Sequence, residues 1–467
     1  MRLLKKLPGV PEKNANLLTI IAFFTILRKG SIVVIPFLDE NEGQSILFIL
    51  KQYYSKPRNE TLDCFRGIFV FLGALGHFYY IADTDGSPLK LYEPVAIFLY
   101  NILYGSAVFF AISGFLITSL LLNKVDKSHK KFNQVSVFSF YLFRFARIFP
   151  ALILLCCLNL LFNWVDFPEF QIKAPLTWQT VLTYVFTLRA NVLFGQDFYH
   201  ICSWGCLWSL AIEEVFYLFY PLICFAFRSF RSIILVLSAI VIYGLYCRSQ
   251  STLAITVIRT YFGCFDQLAL GCIAAYLVHM NCFAQTRRRF LIIGIILLII
   301  LAESVIWAMH YVCGFTLMGL STAMILLGLS PSQQKEKNKK TTRYFTLPLC
   351  IFGMLSYEFF LFHTFLFLSL KPIITWIIPH NGWTWTILLS CFGCEVIVLT
   401  IICSLLYCYL TNPMRKKIIQ VVRELSQRIF LFFHRLYVIA NQVAFRYNRI
   451  FFKSLTRESC NDGSFKG

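Results

Sequence analysis

The sequence predicts an all-α, polytopic membrane protein of about ten transmembrane helices. Three observations carry that reading. Of 467 residues, 58% are hydrophobic and only 14% are charged, whereas a soluble domain carries about a quarter charged residues. The apolar excess recurs in runs of roughly 20 residues, the length of a membrane span, from residue 62 to residue 410. One anchor on a soluble enzyme does not account for that. Finally, basic residues stand at the ends of the runs, in KVDKSHKK (124–131), RSFR (228–231), RRR (287–289), KEKNKK (335–340) and RKK (415–417). This is the footprint of cytoplasmic loops facing anionic lipid, so the net charge of +20 points to a bilayer and away from nucleic acid.

Taken in order, the candidate spans lie near 62–82, 95–122, 140–163, 207–227, 232–247, 261–280, 290–309, 311–330, 346–370 and 384–410. A cytoplasmic N-terminus puts every basic loop inside. It leaves IADTDGS (81–87), WVDFPEF (164–170) and PHNGW (379–383) outside. The alternation closes only if residues 177–194 do not cross, so 164–206 is expected to form an external lid or re-entrant segment. The transmembrane domain is expected over 61–411, with both termini cytoplasmic. Residues 1–60 read as a surface-lying extension, because their apolar runs are split by Arg28 and Lys29. Residues 412–467 read either as a basic amphipathic tail on the inner leaflet or as a solubilising tail.

Seventeen cysteines resemble a disulfide set, but they scatter through apolar runs, where cysteine behaves as a small hydrophobe. None has metal-ligand spacing with histidine, so neither zinc nor a disulfide framework is implied. The basic start MRLLKKL lacks a secretory cleavage pattern.

Ionisable residues inside the apolar runs need a reason, since each costs about 2.5–3.5 kcal/mol at mid-bilayer. On the topology above, Arg66, Arg144 and Arg147 lie toward the cytoplasmic face, the last two at i, i+3 on one helix face. Guanidinium groups at one level suit phosphates; the alternative is three snorkelling anchors. His77, Glu213, Glu214, Asp266, Glu358 and His363 fall among the other polar positions. With Glu358 apart, they sort toward the outer half. Imidazoles and carboxylates together suit general acid–base work on a hydroxyl. Asp266, Glu358 and His363 also fit satisfied interhelical hydrogen bonds. The helix rise puts His77 about 16 Å beyond Arg66, so a route from a cytoplasmic anionic donor to an external acceptor is expected along the first helix.

Five segments resemble the acyltransferase-3 family of bacterial membrane O-acyltransferases. LDCFRGIFVFLGALGH resembles its first-helix Arg/Lys–His signature, VFFAISGFLITSLLL its serine–glycine–phenylalanine helix, and FYLFRFARIFPAL its R-x-x-R helix. CLWSLAIEEVFYLFYPL is similar to its W-S-L-x-x-E-x-x-F-Y helix, and SYEFFLFHTFLF to its tyrosine- and histidine-bearing segment. The departures are Glu358, where small or apolar residues are usual, Phe362 in place of a tryptophan, and LTNPMRK at the end of the last helix.

The resemblance implies transfer of an acyl group, most simply acetyl, from cytoplasmic acyl-CoA to a hydroxyl of a cell-envelope or exported glycan. Acyl-CoA would be a co-substrate, with no bound cofactor and no metal. Arg66, Arg144 and Arg147 would handle CoA phosphates, and Ser113 and Gly114 would line a passage for the acyl arm, small-residue helix packing being the alternative for that pair. His77 would be the central base or acyl relay, and Glu213 and Glu214 would share the catalytic work, Glu213 orienting or polarising. Tyr217, Asp266 and His363 would shape the acceptor side. The implied setting is the bacterial inner membrane, with a lipid-linked or membrane-proximal glycan as acceptor. A proton-coupled transporter and a catalytically inactive scaffold of the same fold are the competing readings. The first is disfavoured because no internal repeat is evident.

Overall fold

The computed structural model describes residues 60–83, 98–99, 105–128, 137–196, 202–227, 229–250, 259–303, 311–330, 343–377, 384–425, 427–428 and 431. The expected surface extension and most of the expected tail lie outside these. Every long element described is a helix. They are α1 (Glu60–Asp83), α2 (Ser106–Ser128), α3 (Val137–Trp164), α4 (Trp178–Phe186), α5 (Ala190–Gln196), α6 (Leu207–Ala226) and α7 (Phe230–Ser249). There follow α8 (Tyr261–His279), α9 (Arg287–Glu303), α10 (Tyr311–Leu329), α11 (Arg343–Met354), α12 (Ser356–Ile377) and α13 (Trp385–Leu406).

Among the described residues, nine helical stretches are long and apolar enough to cross a membrane. The expected span 290–309 is not among these nine: there α9 has 17 residues, the first three of them arginines. The chain is a multi-pass, all-α membrane protein. Residues 177–194 fold as α4 and α5, of nine and seven residues, too short to cross at ~1.5 Å per residue.

The expected span 346–370 is corrected. It breaks at Leu355 into α11 and α12, and α12 runs on to Ile377. Gly353 and Ser356 flank the break, a pairing that commonly kinks helices, and the Ser356 hydroxyl is engaged by Arg66. The last span also continues further than expected. A π turn at Tyr407–Thr411 leads into helix that runs to residue 425, giving 40 helical residues from Thr386 to Leu425.

Two helix pairs set the architecture through reciprocal glycines. In the α1–α11 pair, a Cβ at Gly67 would lie 1.9 Å from the Leu349 carbonyl oxygen, and one at Gly353 would lie 1.9 Å from that of Asp63. In the α2–α8 pair, Gly114 faces Leu268 and Gly271 faces Ala111 equally closely, at 2.0 and 1.9 Å. Only glycine lets backbones approach so near, and close van der Waals packing is what associates helices in lipid. One half of the molecule gathers α3, α12 and α13 around α1–α11; the other gathers α7, α9 and α10 around α2–α8. Helix α6 touches both.

Candidate active site

Between these halves lies a cavity of about 890 Å³, within the range of small-molecule sites. Its walls come from α1 (Asp63, Arg66), α2 (Phe109, Ser113), α3 (Arg144, Arg147), α6 (Ser209, Glu213, Tyr217), the end of α8 (His279) and the start of α12 (Ser356, Tyr357, Phe360). The structure thus gathers Arg66, Ser113, Arg144, Arg147, Glu213 and Tyr217 of the expected set. They are separated by as many as 151 positions in sequence, from Arg66 to Tyr217, and meet only because the two halves close on α6.

The three arginines are held differently. Arg66 donates to the Ser356 hydroxyl at 2.5 Å and stands 3.9 Å from Asp63. Arg144 donates through Nε to Glu214 Oε1 at 2.9 Å, and its Nη2 lies 2.7 Å from the same oxygen and 3.4 Å from Glu213 Oε2. Its guanidinium carbon sits 3.9 Å above the Tyr217 ring, a cation–π contact. The Tyr217 hydroxyl donates to Glu213 Oε1 at 3.0 Å. Arg147 lines the cavity with no ion pair among the described residues.

This corrects the expected sorting of cations below and carboxylates above. Arg144 and the two glutamates form one cluster, because a guanidinium in low dielectric seeks its counter-charge and a long arm lets it reach across levels. Glu214 turns to the other side of that cluster. There it joins Arg144 and Tyr217 in the wall of a second, largely apolar cavity of about 310 Å³, bounded by α3, α6 and the α4–α5 segment. Arg144 and Tyr217 line both cavities.

The two histidines meet. The rings of His77 (α1) and His363 (α12) lie 5.1 Å apart at 54°. His363 is buried, and its Nδ1 lies 2.7 Å from the Phe360 carbonyl and 3.2 Å from that of Phe359. Carbonyls only accept, so Nδ1 carries the proton of the neutral ring. Nε2 is left as an acceptor 3.1 Å from the Thr364 hydroxyl. His77 is half-buried, and no described residue hydrogen-bonds to it. Phe360 links this pair to the main cavity, since it lines the cavity and its ring stands 6.2 Å from that of His363. On α1, Gly73 abuts the cavity-lining Phe109 one turn before His77.

Five expected site residues do not line the main cavity: His77 and His363 lie off it beside Phe360, Glu214 faces the second cavity, and Gly114 and Asp266 line neither. Gly114 does not line the passage: it is buried against Leu268, where a side chain has no room, while its neighbour Ser113 faces the cavity. Asp266 does not reach an acceptor site. It is fully buried in a two-pronged ion pair with Arg248, Oδ1 to Nη1 at 2.9 Å and Oδ2 to Nη2 at 2.7 Å. The acceptor-side grouping of Tyr217, Asp266 and His363 is therefore dispersed over three places.

Sequence reasoning missed Ser356, Tyr357, Phe360 and Arg248. The first three stand in the quoted segment SYEFFLFHTFLF, whose resemblance could have drawn attention to its opening residues. Arg248 fell one position beyond the expected span 232–247, and no local pattern ties it to Asp266. Among the described residues, no group of three or more His, Cys, Asp or Glu side chains is placed to hold a metal ion.

Comparison with known proteins places this geometry in context. A family model described as an acyltransferase domain matches residues 59–408. The O-acetyltransferase OatA of Staphylococcus aureus is 25% identical over 375 residues, covering 72% of this chain and 58% of that protein. The peptidoglycan O-acetyltransferase OatA of Listeria monocytogenes is 27% identical over 225 residues, covering 43% of this chain and 35% of that protein. The chain thus spans little more than half the length of the staphylococcal relative. No solved structure matches.

Proposed function

Since the chain belongs to the acyltransferase-3 family, we propose that it is a membrane O-acetyltransferase that moves acetyl from cytoplasmic acetyl-CoA to a hydroxyl of a cell-envelope glycan. The observation that carries this reading is the cavity itself. Arg66, Arg144 and Arg147 line it, and its wall residue Phe360 stands 6.2 Å, ring to ring, from His363, which in turn packs on His77. An anionic donor suits the arginine end, where guanidinium groups bind phosphate in forked geometry. Arg147, without an ion pair among the described residues, is the first candidate for that contact. The thioester arm then runs past Ser113 toward His77.

His77 acts as the base. It takes the proton of the acceptor hydroxyl as the oxygen attacks the thioester carbonyl; the C–S bond breaks, and the proton passes to the departing CoA sulfur. His363 has its own Nδ1 proton committed to the Phe360 carbonyl, so it suits a supporting role that fixes the neighbouring imidazole. The glycan is the acceptor the named relatives suggest, with peptidoglycan the first to try. The donor end faces the cytoplasm, with basic loops on the same side of a bacterial inner membrane.

The test uses membranes containing wild-type or His77→Ala protein, incubated with labelled acetyl-CoA and isolated envelope glycans, peptidoglycan among them. Wild type should label the glycan as an alkali-labile ester, and the variant should lose that label while still binding donor. Equal labelling by both proteins overturns the role of His77.

A further inference from the structure

Helices α1 and α11 bring two thiols together. The sulfurs of Cys64 and Cys350 lie 2.7 Å apart, within about an ångström of a disulfide bond at ~2.05 Å. Each cysteine precedes its helix's contact glycine by three residues, Cys64 before Gly67 and Cys350 before Gly353, and so lies on the same helix face. Those glycines allow no side chain between the backbones, which holds the thiols in register. Each sulfur also contacts a carbonyl, Thr346 O at 3.5 Å from Cys64 and Glu60 O at 3.5 Å from Cys350. Cys350 is buried, whereas Cys64 is half-buried and lies in the second turn of α1.

We infer that Cys64 and Cys350 are a redox-active pair that closes to a disulfide, stapling α1 to α11 two residues from the cavity-lining Arg66. The oxidant is a small disulfide of the glutathione class. The Cys64 thiolate attacks one of its sulfurs, forming a mixed disulfide and releasing one glutathione thiolate. The Cys350 thiolate then attacks the Cys64 sulfur, closing the internal bond and releasing the second. Two cysteine protons end on the two glutathione thiols, and the two electrons lost by the protein reduce the glutathione disulfide. A reducing thiol reverses both steps. Because the sulfurs already touch, closure needs side-chain rotation and no separation of the helices.

The experiment treats the full-length protein in membranes with oxidised glutathione, blocks remaining thiols with N-ethylmaleimide, and maps peptides without reduction. The expected result is joint loss of the maleimide label at Cys64 and Cys350, with a cross-linked peptide between them that dithiothreitol removes. Cys64→Ser should abolish the cross-link, and Cys408→Ser, which changes a thiol of the same packing cluster, should leave it intact. Retention of both labels overturns the inference. So does a cross-link from Cys350 to Cys408, or a glutathione adduct that persists on Cys64 while Cys350 stays labelled. The wild-type result decides by itself if a variant fails to fold.

Discussion

The arginine–carboxylate clusters around Arg248 and Arg144 are built to opposite ends. Around Arg248 every donor nitrogen is engaged. Nε reaches the Val312 carbonyl at 2.9 Å, Nη1 the Gly263 carbonyl and Asp266, and Nη2 Thr316 and Asp266. Thr316 in turn donates to Asp266 Oδ2 at 2.5 Å, and neither charged side chain has any exposure. Around Arg144 the bonds are fewer and the cluster is open. Its side chains retain 16–19% exposure, and Nη1 has no partner among the described residues. A saturated, sealed network ties helices α7, α8 and α10 together and has no valence left for a ligand. An unsaturated one lining two cavities has both a vacant donor and access. Burial and satisfaction, more than the presence of an ion pair, separate scaffold from site.

Breaking each cluster should therefore give different losses. The largest is expected from Arg248→Leu, which strands Asp266 as an uncompensated buried charge at a cost of about 3–5 kcal/mol. Melting in detergent should fall steeply, and adding Asp266→Leu should restore much of the loss. If Arg248→Leu melts like wild type, the scaffold assignment is wrong. A smaller and different effect is expected from Arg144→Lys. The ammonium cannot reproduce the forked, ring-stacked geometry, which costs about 1.5–3 kcal/mol for a charged hydrogen bond, or roughly tenfold to 150-fold in acetyl transfer. Melting should stay near wild type; a fall in melting with unchanged transfer would put Arg144 with the scaffold. The smallest effect is expected from Tyr217→Phe, which keeps the ring beneath Arg144 but removes the bond to Glu213. Transfer should drop by about fivefold, the equivalent of one ordinary hydrogen bond of ~1 kcal/mol.

The same contrast explains what the sequence made legible. Apolar run length and basic loops identified the spans because both are local properties, and they err where tertiary packing intervenes. The break at Leu355 follows from Gly353 seated on Asp63 and Ser356 held by Arg66, partners almost 300 positions away. Motif resemblance singled out Arg66, Arg144, Arg147, Ser113, Glu213 and Tyr217, which line the cavity together. Depth along a helix, however, locates a Cα, and it misplaced Arg144 relative to Glu213 and Glu214. Asp266 was visible as a costly residue, but its partner was not. Arg248 stands 18 positions earlier on a different helix, and nothing in its own neighbourhood distinguishes it from an interfacial anchor.

The adjacent residues Ser113 and Gly114 show what this means for reading the protein's relatives. A helix turns by about 100° per residue, so neighbouring letters answer to different judges: Ser113 to whatever enters the cavity, Gly114 to the backbone of α8. A column of invariant serine beside a column of invariant glycine would look like a single motif with a single purpose. It would in fact record two independent constraints. A library randomised at Ser113 alone explores ligand choice within an intact fold, whereas one that also randomises Gly114 is mostly a survey of chains that no longer assemble.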